Sequence, residues 1–305
     1  MKTTSKTIVW GAVAAMSLMP VFSLMRAQTT NTNAASTSPG AGMSQQPLSA
    51  ERANQILRKD IQNSQGQTIG KINNFVVDLE SGRILYGIVN VSGLPGGNQV
   101  VLPPNQFGLG TNGTNLIVKV DDKMSLTNAP RWSATQAPEM GNVSFVRGVY
   151  QHFGQQPWWE GGPTPTSRDT FGNVHPVGKL VGTKLQTSSN TNLGTIKDIA
   201  LDVPNGRVLY VILSPAGDLG SNNTVYPLPP MVITKGPDAK TLVTGVDSSK
   251  LQGAPHFTND NWPNVADPAF AAQVYQYYGK QPYFQTGGGM LSPTGRPGAS
   301  GGTNQ

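Results

Sequence analysis

Two stretches of the chain alternate in the same way between apolar and turn-forming residues. In the first, an apolar-rich run of strand length from Ile69 to Val77 leads into Asp78-Leu79-Glu80-Ser81-Gly82, and an apolar run resumes from Ile84 to Val89. The second, Leu193 to Leu213, says nearly the same thing at a constant offset of 124 residues, with Gly70 on Gly194, Arg83 on Arg207 and Tyr86 on Tyr210. Each stretch reads as a β-hairpin. Pro204 presets the first turn position, Asn205 tolerates the next, and Gly206 supplies a left-handed residue, the task Gly82 performs in the first copy. Both faces of the returning strands are apolar, which predicts strands buried inside a small barrel.

The pattern Gly-x-Ile, an aspartate closing an apolar strand, Gly-Arg, and an apolar strand with an early tyrosine resembles the PRC-barrel domain. That domain is a small antiparallel β-barrel, similar to the cytoplasmic domain of the photosynthetic reaction-centre H subunit and the C-terminal domain of a ribosome maturation factor. The resemblance spans about 75 residues in each half, the size of a small domain. It implies an assembly or docking module, since members bind other proteins and share no catalytic residues.

The rest of the chain extends the repeat. Val100 to Pro104 returns as Val225 to Pro230, Leu116 to Asp121 as Leu242 to Asp247, and Ala129 to Trp132 as Ala254 to Phe257. Beyond each expected barrel, Asn142, Phe145, Val146, Val149, Tyr150 and Gly154 return as Asp267, Phe270, Ala271, Val274, Tyr275 and Gly279, the spacing of one helical face between an N-cap and a C-terminal glycine. A shorter helix is predicted from Ser49 to Arg58, with Ser49 as its N-cap. An aromatic pair ends each unit, Trp158-Trp159 and Tyr283-Phe284; Trp132 and Trp262 read as core. The expected fold is therefore mainly β, two small antiparallel barrels in tandem, each followed by a short helix. The domains expected are 49–159 and 176–285, joined by a linker at 160–175 and preceded by a tether at 28–48, with a Gly-rich tail at 286–305.

Composition adds localisation. Lys2 and Lys6, the apolar run Ile8 to Met25 and the small polar residues after Ala27 have the form of a secretory signal, with cleavage expected near Ala27 and export to the periplasm or beyond. The competing reading is an uncleaved membrane anchor, which would be the only membrane contact. Losing Lys2, Lys6 and Arg26 takes the formal net charge from +6 to +3, so the basic balance belongs partly to targeting and no nucleic-acid partner is expected. The absence of cysteine excludes disulfides, thiolate metal sites and a thiol nucleophile.

Candidate chemistry is sparse. His152, His175 and His256 have no metal-ligand spacing on one element. Asp78 and Asp202 recur in both copies, but the groups recurring beside them are Arg83 and Arg207, so they read as turn-capping aspartates paired with the hairpin arginines. No nucleophile elbow, phosphate loop or zinc-helix motif is present. No enzyme activity, metal or cofactor is expected. The reading is an exported binding or scaffolding protein of the bacterial envelope, in which two linked barrels engage a protein partner with affinity raised by effective concentration. The alternative is an envelope polysaccharide bound on Trp158, Trp159, Tyr283 and Phe284; against both stands the reading that these rings pack on their own unit.

Overall fold

In repeat 1 the lead segment is strand β1 (Glu51–Arg52) and the single turn α1 (Ala53–Ile56), followed by β2 (Asp60–Gln62), the hairpin β3 (Thr68–Asp78) and β4 (Arg83–Asn90), then β5 (Gln99–Leu102), β6 (Phe107–Leu109), β7 (Leu116–Val118) and the trailing helix α2 (Val143–His152). Repeat 2 runs β8 (Val174–Pro176), α3 (Val177–Leu180), β9 (Lys184–Thr187), the hairpin β10 (Asn192–Asp202) and β11 (Arg207–Pro215), β12 (Thr224–Leu228), β13 (Ile233–Lys235), β14 (Thr241–Thr244), α4 (Ser248–Gln252), β15 (Phe257–Thr258) and α5 (Pro268–Tyr277). This computed structural model describes residues 49–111, 115–133, 140–160, 170–219, 223–238 and 240–284; the expected leader, tether and tail, and residues 161–169 of the expected linker, lie outside them.

The repeat is reproduced down to its irregularities. The first hairpin has β-bulges at Ile72/Asn74 and Val76/Val77, the second at Ile196/Asp198 and Ala200/Leu201, the same positions after the 124-residue offset. Bulges bend a strand and re-aim its side chains. The trailing helices also match: Asn142 accepts from the Phe145 amide and Asp267 from the Ala269 amide, and Gly154 and Gly279 follow the helices at φ 64° and 66°.

Two closed barrels side by side are not what the pairing shows. One path runs β13-β14-β9-β10-β11-β4-β3-β2-β7-β6, open at both ends, and it crosses from one repeat to the other between β11 and β4, where Arg207 stands opposite Arg83. The physical reason lies in the turns. The Ile84 amide donates to the Gly206 carbonyl at 3.0 Å and the Val208 amide to the Gly82 carbonyl at 2.8 Å, so each repeat satisfies backbone groups the other would leave bare.

The lead segments are exchanged. β1 of repeat 1 pairs with β10 of repeat 2, and β8 of repeat 2 pairs with β3 of repeat 1. Beside them the Asn54 amide donates to Asp198 and the Gly178 amide to Asn74, again equivalent positions. Ser49 is consequently not an N-cap. The helix is the four residues of α1 behind Arg52, and the Ser49 hydroxyl instead donates to Asp202 across the exchange. The six residues Thr170 to His175 of the expected linker are likewise structured: Phe171 and Asn173 are buried and β8 starts at Val174.

Apolarity on both faces of the hairpin strands has a different cause from the one expected. One face enters the main core, which draws Phe75 and Ile84 from repeat 1 and Ile199 and Val208 from repeat 2. On repeat 1, Leu85, Tyr86 and Ile88 face outward under Val146, Val149 and Tyr150 of α2. Burying each such side chain contributes about 1.5–3 kcal/mol, so the helix covers a second apolar face that a lone barrel would expose. Trp132 and Trp262 are only partly buried, and the Arg52 guanidinium stacks 4.1 Å from the Trp262 ring centroid.

Candidate functional site

The turn residues Asp78, Gly82, Arg83, Asp202, Gly206 and Arg207 gather at the seam between the repeats with Trp158, Tyr283 and Phe284, and Trp159 packs behind Trp158. At the centre of the seam are the two turns. Gly82 at φ 67° and Gly206 at φ 65° take left-handed conformations that strain a residue with a side chain. Their surroundings differ: a Cβ on Gly82 would lie 2.6 Å from the Tyr283 hydroxyl, whereas one on Gly206 would lie 3.1 Å from Pro104 Cβ. Gly82→Ala is therefore expected to cost about 2–3 kcal/mol, from backbone strain and the displaced ring, and Gly206→Ala less; paired thermal melts check the order.

The two carboxylates are buried and held from both sides of the exchange. Asp78 accepts from the Ser81 amide at 3.0 Å, the Ser81 hydroxyl at 2.6 Å and the Asn173 amide at 3.1 Å. Asp202 accepts from the Ser49 hydroxyl at 3.3 Å and the Asn205 amide group at 3.0 Å, with Arg207 Nη1 at 4.0 Å. Ser49 and Asn173 occupy the same position in the repeat. Burial pushes the Asp202 carboxyl up to about 6, against the opposing pull of Asn205 and Arg207. Next to Asp78, burial and the nearby Lys235 hold His175 down to about 4, so the ring is neutral near pH 7 and is 2.8 Å from Asn173 Oδ1 through Nε2.

The arginines do different work. Arg207 is 6% exposed, donates to the Phe284 carbonyl at 3.4 Å, and leaves Nε without a hydrogen bond among the described residues. Arg83 is half-buried, with its guanidinium 5.2 Å from the Trp158 ring centroid and 5.5 Å from that of Tyr283. Burial lowers its pKa and Arg207 adds to that, yet a guanidinium stays cationic. No carboxylate of the described residues lies within ion-pair distance of Arg83.

The aromatic pairs divide by depth. Trp159 packs edge-on against Tyr150 and Phe171, and Phe284 against Tyr275 and Tyr210; both are buried. Trp158 and Tyr283 are partly exposed, and the Tyr283 hydroxyl bonds at the seam with the carbonyls of Gly82, at 2.5 Å, and Val208. Nothing local in the sequence marks Ser49, Asn173 or the Asn74/Asp198 pair as seam residues. Their common offset of 124 was the available signal.

No curated protein matches the chain. Residues 49–130 and 173–243, together half of the chain, match the PRC-barrel domain, and the second match starts at Asn173 as the first starts at Ser49, the two residues that clamp the buried aspartates. With its mainly β architecture repeated hairpin for hairpin, the chain belongs to the PRC-barrel domain family and carries the domain twice.

Proposed function

We propose that the protein is an exported, non-enzymatic docking protein of a bacterial envelope, and that it holds a protein partner at the seam between its two domains. Membership of the PRC-barrel family supports an interaction module. The observation that carries the site is Arg83: a cation against the Trp158 and Tyr283 rings, with no carboxylate of the described residues within ion-pair distance, on a surface that both repeats build. A partner carboxylate placed there would gain a charge-assisted hydrogen bond in surroundings of lowered dielectric. Because the repeats share a sheet and a core, the docking surface is one rigid face; the effective-concentration gain of two tethered barrels does not enter.

A photo-crosslinking amino acid at the exposed Glu80 position, beside the turn, tests this in the full chain in cells. One dominant protein adduct in the envelope fraction, reduced at least tenfold by Arg83→Glu, is expected, together with a mature N-terminus just after Ala27. Adducts that are insensitive to Arg83→Glu, or confined to the cytoplasm, would overturn the reading.

A further inference from the structure

A second site lies away from the seam turns, where the lead segments cross. A polar groove of about 530 Å³ is lined by Arg58, Lys71 and Lys179 and by Asn73, Asn74 and Asn90. Its lining comes from both repeats, but the equivalent positions on repeat 2 have lost the pattern: Gly182 for Arg58, Thr195 for Lys71, Asp198 for Asn74 and Ser214 for Asn90.

Arg58 is the informative difference. It occupies a left-handed backbone position at φ 67°, and its counterpart Gly182 takes φ 87° in the same turn. Glycine fits there without strain, whereas arginine holds the conformation at a cost. The side chain it places in the groove is exposed and has no ion-pair partner among the described residues, and neither has Lys179. Lys71 is balanced by Asp60 at 2.6 Å. The groove therefore keeps two uncompensated cations. Asn90, itself partly exposed, also lines the groove, and its Oδ1 has no hydrogen bond among the described residues, an unmet acceptor that a ligand donor can satisfy once the amide turns towards the groove.

We propose that this groove binds an anionic sugar, its carboxylate or phosphate on Arg58 and Lys179 and its hydroxyls on Asn90 and Asn73. The guanidinium fork suits an oxyanion, amide side chains pair in both directions with hydroxyls, and the volume falls within the range of small-molecule sites. The site is independent of the docking surface at Arg83.

Titration calorimetry of the full chain with glucuronate, glucose 6-phosphate, a galacturonate oligomer, neutral glucose and inorganic phosphate tests it. At least one anionic sugar is expected to bind ten times or more tighter than glucose and than inorganic phosphate; tightest binding by the oligomer would name a polymer as the source, and by a monosaccharide a free metabolite. Arg58→Gly copies the second repeat, so it should melt no lower than the parent while losing at least tenfold in affinity, and Asn90→Ala should lose affinity for the sugar but not for phosphate. Equal binding of glucose, equal binding of phosphate, or full affinity in Arg58→Gly would each overturn the proposal.

Discussion

A chain cut to residues 42–160 is expected to give no folded monomer, although it contains a whole copy of the repeat and its trailing helix. Its β3 would lose the pairing with β8, its β1 would lose β10, and the Gly82 carbonyl would lose the Val208 amide. The main core draws on both repeats, so the cut also uncovers apolar side chains. Uncovering even four large ones at about 1.5–3 kcal/mol each matches the whole stability of a typical domain, about 5–15 kcal/mol. Light scattering and circular dichroism on the half chain check this, and mixing it with residues 161–305 should restore a one-to-one complex with a cooperative melt. A half chain that melts cooperatively as a monomer would show that the exchange is dispensable.

Removing Arg207 should have the second largest effect, and one that depends on pH. Arg207 is the cation nearest to Asp202, and both are buried. Arg207→Met keeps the apolar stem but strands the carboxylate, a loss on the order of 3 kcal/mol at pH 8, or roughly 6–12 °C in melting temperature for a unit of this size. Relief of the repulsion between Arg207 and Arg83 offsets part of that. In the parent the Asp202 carboxyl is raised from 3.8 to about 6, so the folded state holds its proton more tightly than the unfolded state does. This group's contribution to stability is therefore greatest at low pH and falls as pH rises from about 3.8 to 6. Without the arginine, which lowers that pKa, the fall should continue above 6. The gap between parent and variant should be small at pH 5 and widen towards pH 8 in urea melts; a gap of constant size would mean that Arg207 acts by packing alone.

The hairpins were legible because strand pairing leaves a period in the sequence and a turn leaves its glycine. The 124-residue offset fixed the correspondence of the copies, and the caps Asn142 and Asp267 fixed the trailing helices. Ser49 imitates an N-cap for a local reason. A serine ahead of an apolar pair looks like an N-cap, and nothing within ten residues says that its hydroxyl will meet Asp202, 153 positions away. The aromatic pairs are legible in the sequence, but their division into buried and half-exposed rings is not. Arg83 gives no sign in the sequence that it will lie against Trp158 and Tyr283, because those contacts join positions 75 and 200 residues apart.

By itself, then, the sequence determined that this chain holds two copies of one β unit, where each hairpin turns, and which helix closes each copy. Only the tertiary structure decided that the copies lie in one open sheet with their lead segments exchanged, and that the two Gly-Arg turns face each other. The physical reason is that propensity and periodicity act over a few residues, whereas backbone groups left bare at a turn can be satisfied by any strand that reaches them, here the equivalent turn of the other copy.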